Sequence, residues 1–196
     1  ILVTAAQRQV NTLRINDRLM LPYFDLPRSL FQGFQNILDE RVPKERHAAA
    51  LVRLRRSAGA EKGYEPITAL YKARMEEKLA DAKLIGPWTV ELEQNLKNQA
   101  RYVEGIRELL QKSGLKGWQK NFATFSKQID DYGKWMRESI LPRARKTNQL
   151  PLEVYADELC RNKLRYPPFT PRSQVAEYQR HFGEAWALIR VAESTV

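Results

Sequence analysis

Trp118-Gln119-Lys120-Asn121-Phe122-Ala123-Thr124-Phe125-Ser126-Lys127-Gln128-Ile129-Asp130-Asp131-Tyr132-Gly133-Lys134-Trp135-Met136-Arg137-Glu138-Ser139-Ile140 is the stretch on which the fold turns. Trp118, Phe122, Phe125, Ile129, Tyr132, Met136 and Ile140 recur at spacings of three and four, which lays one broad apolar stripe along a helix. Ser113-Gly114-Leu115-Lys116-Gly117 just before it reads as a stop and turn. Pro142 just after it ends the helix, because proline has no amide proton to donate.

The same period extends in both directions. A first helix is expected over residues 4–20, running into Leu21-Pro22-Tyr23-Phe24-Asp25-Leu26-Pro27, where two prolines favour an extended chain. Residues 28–39 carry Leu30, Phe34, Ile37 and Leu38 on one face. Pro43 suits the first turn of a helix ending near Ser57, and Pro66 opens another closed by Gly86-Pro87. Residues 88–113 read as helix, with Asn98 offering a cap for a break near 98–100. A shorter helix is expected around 151–160, and a last one begins after Thr170-Pro171, with Val175, Tyr178, Phe182, Ala185 and Ile189 in register. Strand alternation is nowhere sustained. The expectation is an all-α multi-helix bundle of about eight helices with short Pro/Gly loops. It forms one domain over 1–196, with the alternative of a subdivision near residue 60.

The chain of 196 residues is 43% hydrophobic and 29% charged, a globular rather than disordered composition. One Cys rules out an internal disulfide. The longest apolar runs, such as Ala48-Ala49-Ala50-Leu51-Val52, fall far short of the ~20 residues that a bilayer span needs. The start at Ile1 rather than Met suggests a processed or excised piece.

The 33 Lys and Arg outnumber the 23 Asp and Glu, for a net charge of +10. Arg41, Lys44, Arg46, Arg53, Arg55 and Arg56 form one basic group, and Arg137, Arg143, Arg145 and Lys146 a second. Such groups neutralise phosphates. Here Glu45 and Glu138 interrupt them and no helix-turn-helix, RRM or zinc-finger pattern accompanies them, so a solvated or salt-bridged surface is preferred over nucleic acid. The tryptophans Trp88, Trp118, Trp135 and Trp186 read as core, Trp135 lying beside the stripe rather than on it. Cys160, followed by Arg161 and Lys163, lacks an evident His base, His181 being the nearest in sequence. His47 and His181 have no ligand set at metal spacing, even with Glu184 near His181. No catalytic residue and no metal ligand is assigned within the chain.

Several segments carry a resemblance together. They are Leu21-Pro22-Tyr23-Phe24-Asp25, Ser29-Leu30-Phe31-Gln32-Gly33, Ala50-Leu51-Val52-Arg53-Leu54-Arg55, the run Tyr102 to Leu109, Ser113 to Trp118, Leu141-Pro142-Arg143-Ala144-Arg145, and Leu150-Pro151-Leu152-Glu153-Val154-Tyr155 with Leu159. In this order they resemble the N-terminal half of the bacterial domain of unknown function 885 family, over nearly the whole chain, although Pro151 stands where that family often has Gly. The resemblance implies a longer, largely helical parent similar to thermolysin-like zinc metallopeptidases, among them lipoproteins, with an extracytoplasmic location as against a cytoplasmic one. The zinc helix of such a parent, of His-Glu-Gly-Tyr-Pro-Gly-His type, lies in the C-terminal half and matches nothing here. The cofactor expectation is therefore none in this chain and zinc in the parent. The expected role is a non-catalytic portion that packs against a catalytic half and forms a wall of a peptide-substrate cleft, with Arg143, Glu153 and Tyr155 as the candidates that touch it. The alternatives are a stand-alone basic module that binds an acidic partner or nucleic acid, and a purely structural bundle.

Overall fold

The computed structural model describes residues 2–154 and Asp157. From Leu2 to Trp135 seven α-helices follow one another: α1 (Leu2–Leu19), α2 (Leu26–Ile37), α3 (Lys44–His47), α4 (Ala49–Ser57), α5 (Ile67–Leu79), α6 (Thr89–Lys112) and α7 (Gln119–Trp135). A π turn (Met136–Ile140) and a 3-10 turn (Leu141–Arg143) complete the last of them. The fold is all-α, with no strand among the described residues. No helix among them is long and apolar enough to cross a membrane. Residues 152–154 are helical, at the place expected for the helix around 151–160. The helix expected after Thr170, together with Tyr155, Cys160, His181 and Trp186, lies outside the described residues.

The chain forms two compact units, Met20–Asn148 and the pairing of Ile1–Leu19 with Gln149–Val196. In the smaller pairing, Arg18 of α1 makes an ion pair with Glu153. Thr12 donates its hydroxyl to Asp157 Oδ2 at 2.5 Å, and Asn11 donates to Oδ1 at 3.3 Å.

In Met20–Asn148 the stripe is the centre of the core. Trp118, Phe125, Ile129, Tyr132, Met136 and Ile140 are buried, and Phe122 packs half-buried beside them. Leu26, Leu30 and Phe34 of α2, Leu54 of α4, and Leu92, Ile106 and Leu110 of α6 close over it. Phe34 meets Phe125 edge-on, ring centres 6.5 Å apart. This core joins residues from both sides of position 60. α2 starts where it does because Asp25 accepts a hydrogen bond from the Arg28 amide (3.3 Å) and Pro27 sits in the first turn.

Local features differ from the periodic reading. Leu26 and Pro27, expected to be extended, are already the first turn of α2, since proline is tolerated there. α6 runs unbroken through Asn98, since neither proline nor glycine interrupts residues 89–104 and Gln99 anchors the helix from the inside. The helix expected after Pro43 is interrupted at one residue, Ala48, giving α3 and α4. α5 ends at Leu79 rather than reaching Gly86-Pro87, because residues 84–89 spend their backbone groups on other segments. Ile85 O accepts from Leu21 N, Pro87 O accepts from Arg145 N, and Arg145 O accepts from Thr89 N, each at 2.9 Å. At the end of the stripe, the Pro142 ring cannot sit over the carbonyl four residues earlier. The turn accordingly widens, and the Leu141 amide donates to Met136 O.

This arrangement depends on Gly86. A Cβ there would lie 2.0 Å from the Arg143 carbonyl oxygen and 2.8 Å from its carbon, both backbone atoms that cannot move aside. Gly33 of α2 is also crowded, but by the far end of the flexible Arg53 side chain. Gly86→Ala should therefore lower stability by about 1–3 kcal/mol, the usual cost of overpacking. Gly33→Ala should be near neutral, because the gain of about 1 kcal/mol in helix propensity offsets the displacement of Arg53. Urea unfolding of both variants checks the contrast, and equal losses would contradict it.

Candidate functional site

The stretch Leu21–Asp25 has no regular secondary structure; the Leu21 amide on Ile85 O fixes one end, and a tight turn from the Leu26 amide to Phe24 O closes the other. It lays Tyr23, Phe24 and Asp25 over α6 and the end of α7. Asn95 of α6 donates to the Tyr23 hydroxyl at 2.7 Å. One turn further along α6, Gln99 donates to the Ile129 carbonyl of α7 at 3.1 Å. Gln99 fits only because the facing residue is Gly133, where a Cβ would stand 2.4 Å from Gln99 Oε1. Between these residues is a pocket of about 20 Å³, room for one water-sized group. Tyr23, Asp25, Asn95, Gln99 and Tyr132 give its wall polar atoms, and Leu92, Leu96 and Met136 make the apolar side. Phe24 also lines it, and with 44% of its surface exposed it marks the way to solvent.

Two polar atoms here are buried without a hydrogen-bond partner, Asp25 Oδ2 and the Tyr132 hydroxyl. Burial pushes Tyr23 up to about 12, partly countered by the Asn95 hydrogen bond. Burial pushes Tyr132 further up, and the nearby charges of Tyr23, Tyr71 and Asp25 add to it. Both phenols are therefore neutral near pH 7, able to donate and accept hydrogen bonds but not to act as tyrosinate bases. Burial also raises Asp25, against the Arg28 amide bond and the Arg28 charge, while Glu91 pushes in the same direction as burial.

The residues expected to touch a substrate have other partners. Arg143 donates from Nη1 to Leu79 O at 2.9 Å and from Nη2 to Asp81 O at 3.0 Å. Its guanidinium thus satisfies carbonyls at the C-terminal end of α5, where the helix dipole favours a cation. Glu153, in the other unit, is paired with Arg18, and Tyr155 lies outside the described residues. His47 is nearly buried and donates from Nε2 to Val42 O at 3.0 Å. Among the described residues no group of three His, Cys, Asp or Glu side chains is placed to hold a metal ion.

Much of the basic surface is engaged within the protein. Arg41 pairs with Asp39, Arg55 and Arg56 with Glu61, and Arg53 lies over the Phe34 ring. Arg137 donates to Leu96 O at 3.5 Å and Arg145 to Gly86 O at 2.8 Å. Trp135, beside the stripe, carries Lys72 Nζ 5.4 Å from its ring centre.

Sequence reasoning placed Tyr132 in the core and gave Tyr23, Asp25, Asn95 and Gln99 no role in a site. One signal was available. Gln99 interrupts the apolar face Leu92, Val103, Ile106, Leu110, and a buried amide needs a partner. Compared with family models, with characterised proteins and with solved structures, the chain matches none.

Two outcomes follow from the geometry. Arg143→Ala should cost about 1.5–3 kcal/mol, the range for hydrogen bonds to a charged group, with amide exchange accelerating at residues 79–83 before the rest of the unit. Asp25 is raised above its unfolded value of about 3.9, so its contribution to stability grows as pH falls through the folded value and levels off below the unfolded one. Asp39 beside Arg41 and Glu104 beside Arg107 are lowered and act in the opposite sense, losing stability with acid. The melting temperature of the wild type minus that of Asp25→Asn should therefore rise as the pH is lowered from neutral toward the unfolded value of about 3.9. A flat difference would exclude burial of this carboxyl as a source of pH dependence.

Proposed function

We propose that this chain is a non-catalytic helical portion of a zinc-dependent hydrolase, a peptidase, and that it contributes one wall of the substrate cleft. The observation that carries the reading is where the resemblance falls in the fold. Leu21-Pro22-Tyr23-Phe24-Asp25, the first of the stretches similar to the domain of unknown function 885 family, is the segment that covers the pocket. The pocket is built to hold a polar group against an apolar wall, without a nucleophile or a base able to cut. In this reading another part of the parent protein supplies the zinc and the general base, and the parent is periplasmic or lipid-anchored.

A second reading, a basic module that binds an acidic partner or nucleic acid, rests on the net charge of +10. What weighs against it is the engagement of Arg41, Arg53, Arg55, Arg56, Arg137, Arg143 and Arg145 within the protein. Binding to duplex or single-stranded nucleic acid that weakens steeply with salt would favour this module.

The coding sequence downstream of Val196 tests the hydrolase reading most directly. A His-Glu-x-x-His-type helix in frame is the expected finding, and a stop codon directly after Val196 overturns it. The purified chain should carry no stoichiometric zinc and hydrolyse no peptide. One tightly bound zinc per chain would be equally damaging.

A further inference from the structure

We propose that the pocket beneath Leu21–Asp25 binds the ammonium group of a primary amine. Asp25 uses Oδ1 to cap α2, where it accepts the Arg28 amide at 3.3 Å. Its other oxygen, Oδ2, points into covered space with no hydrogen-bond partner. The Tyr132 hydroxyl, on a residue only 5% exposed, is likewise without a partner. Both atoms belong to residues lining the same pocket. A carboxylate oxygen covered from water and without a donor costs free energy that a bound cation recovers. The group that would satisfy both atoms is a compact, positively charged hydrogen-bond donor.

Size and surroundings narrow the class. Space of about 20 Å³ accepts one –NH₃⁺ head and excludes a planar guanidinium or a quaternary ammonium. The rings of Tyr23, Phe24 and Tyr132 supply aromatic wall, which favours a cation over a neutral group of equal size. Phe24 is half in solvent and stacks on Tyr71 at 5.5 Å, a surface on which an alkyl stem can lie while the head is inside. Small rotamer changes of Asp25 and Tyr132 on entry are of the kind common at binding sites. The class defined in this way includes a lysine side chain, a peptide amino terminus and a free alkylamine.

This inference concerns the pocket named in the hydrolase reading but stands apart from it. Amine binding is read on the isolated chain, whereas the hydrolase reading is decided by the downstream gene, so either can fail alone. The experiment is a titration of the ¹⁵N-labelled 196-residue chain with n-butylammonium chloride at constant ionic strength, followed by amide shifts. Saturable shifts confined to residues 23–25, 95–99 and 132–136 are expected, with a dissociation constant in the millimolar range set by so small a ligand. n-Butanol and tetramethylammonium should give no saturable response at these amides. Asp25→Asn, which preserves the helix cap and the shape, should weaken binding about tenfold or more. Tyr132→Phe should weaken it several-fold, and Arg41→Ala should leave it unchanged. The proposal is overturned by the absence of saturable shifts up to about 100 mM amine, or by equal binding of butanol. Retention of full affinity in Asp25→Asn would also overturn it. Should Asp25→Asn fail to fold, the amine–butanol comparison on the wild type decides alone.

Discussion

The larger unit depends on a buried polar contact between α6 and α7. Gln99 reaches from α6 to the Ile129 carbonyl of α7, and it can do so only because Gly133 leaves room for its amide. A buried primary amide without partners costs a few kcal/mol, on the order of a whole core side chain. The two helices are therefore held at the one rotation and translation that satisfies it. Apolar side chains alone would accept neighbouring registers with little penalty, because hydrophobic contact is non-directional. The pocket lies beside this contact and takes its shape from it, with Asn95 one turn away fixing Tyr23.

A second theme is how arginine is used. Arg143 and Arg145 donate to backbone carbonyls of residues 79, 81 and 86, tying the segment after the stripe to the connection between α5 and α6. That connection has little secondary structure of its own, and its amides and carbonyls must be satisfied by something. Guanidinium groups do this at fixed geometry and with charge assistance. Part of the positive charge that looks in the sequence like a surface for an acidic partner is thus structural cement.

Periodicity made the helices legible. The stripe from Trp118 to Ile140, the face of residues 28–39 and the stop at residues 113–117 are local patterns, and the structure follows them. What the sequence hid was non-local. Nothing in residues 80–89 announces that they run beside residues 20–21 and 143–145, so the end of α5 is misjudged by several residues. Arg143 was a cleft candidate through the resemblance of its segment alone, and its partners here are backbone carbonyls more than sixty positions away, which carry no side-chain signature. Tyr132 sat correctly in the core stripe, but that its hydroxyl lacks a partner depends on the placement of α2. Asp25 lay in a stretch expected to be extended; its capping of α2 and the position of its second oxygen are features of the folded chain alone.

The π turn at Met136–Ile140 bears on how this chain can vary in length. On an ideal helix, two successive spacings of four would rotate Ile140 about 80° away from Tyr132, and the wider turn takes up that drift so that Ile140 stays fully inside. The turn is in effect a stored extra residue. Loss of one position between 136 and 140 leaves an ordinary α-turn leading to Pro142 and disturbs little upstream. Loss of one position within residues 119–131 swings every later side chain by about 100° and takes Tyr132 out of the pocket. Tolerance to single-residue deletion along this helix is thus concentrated in its last turn.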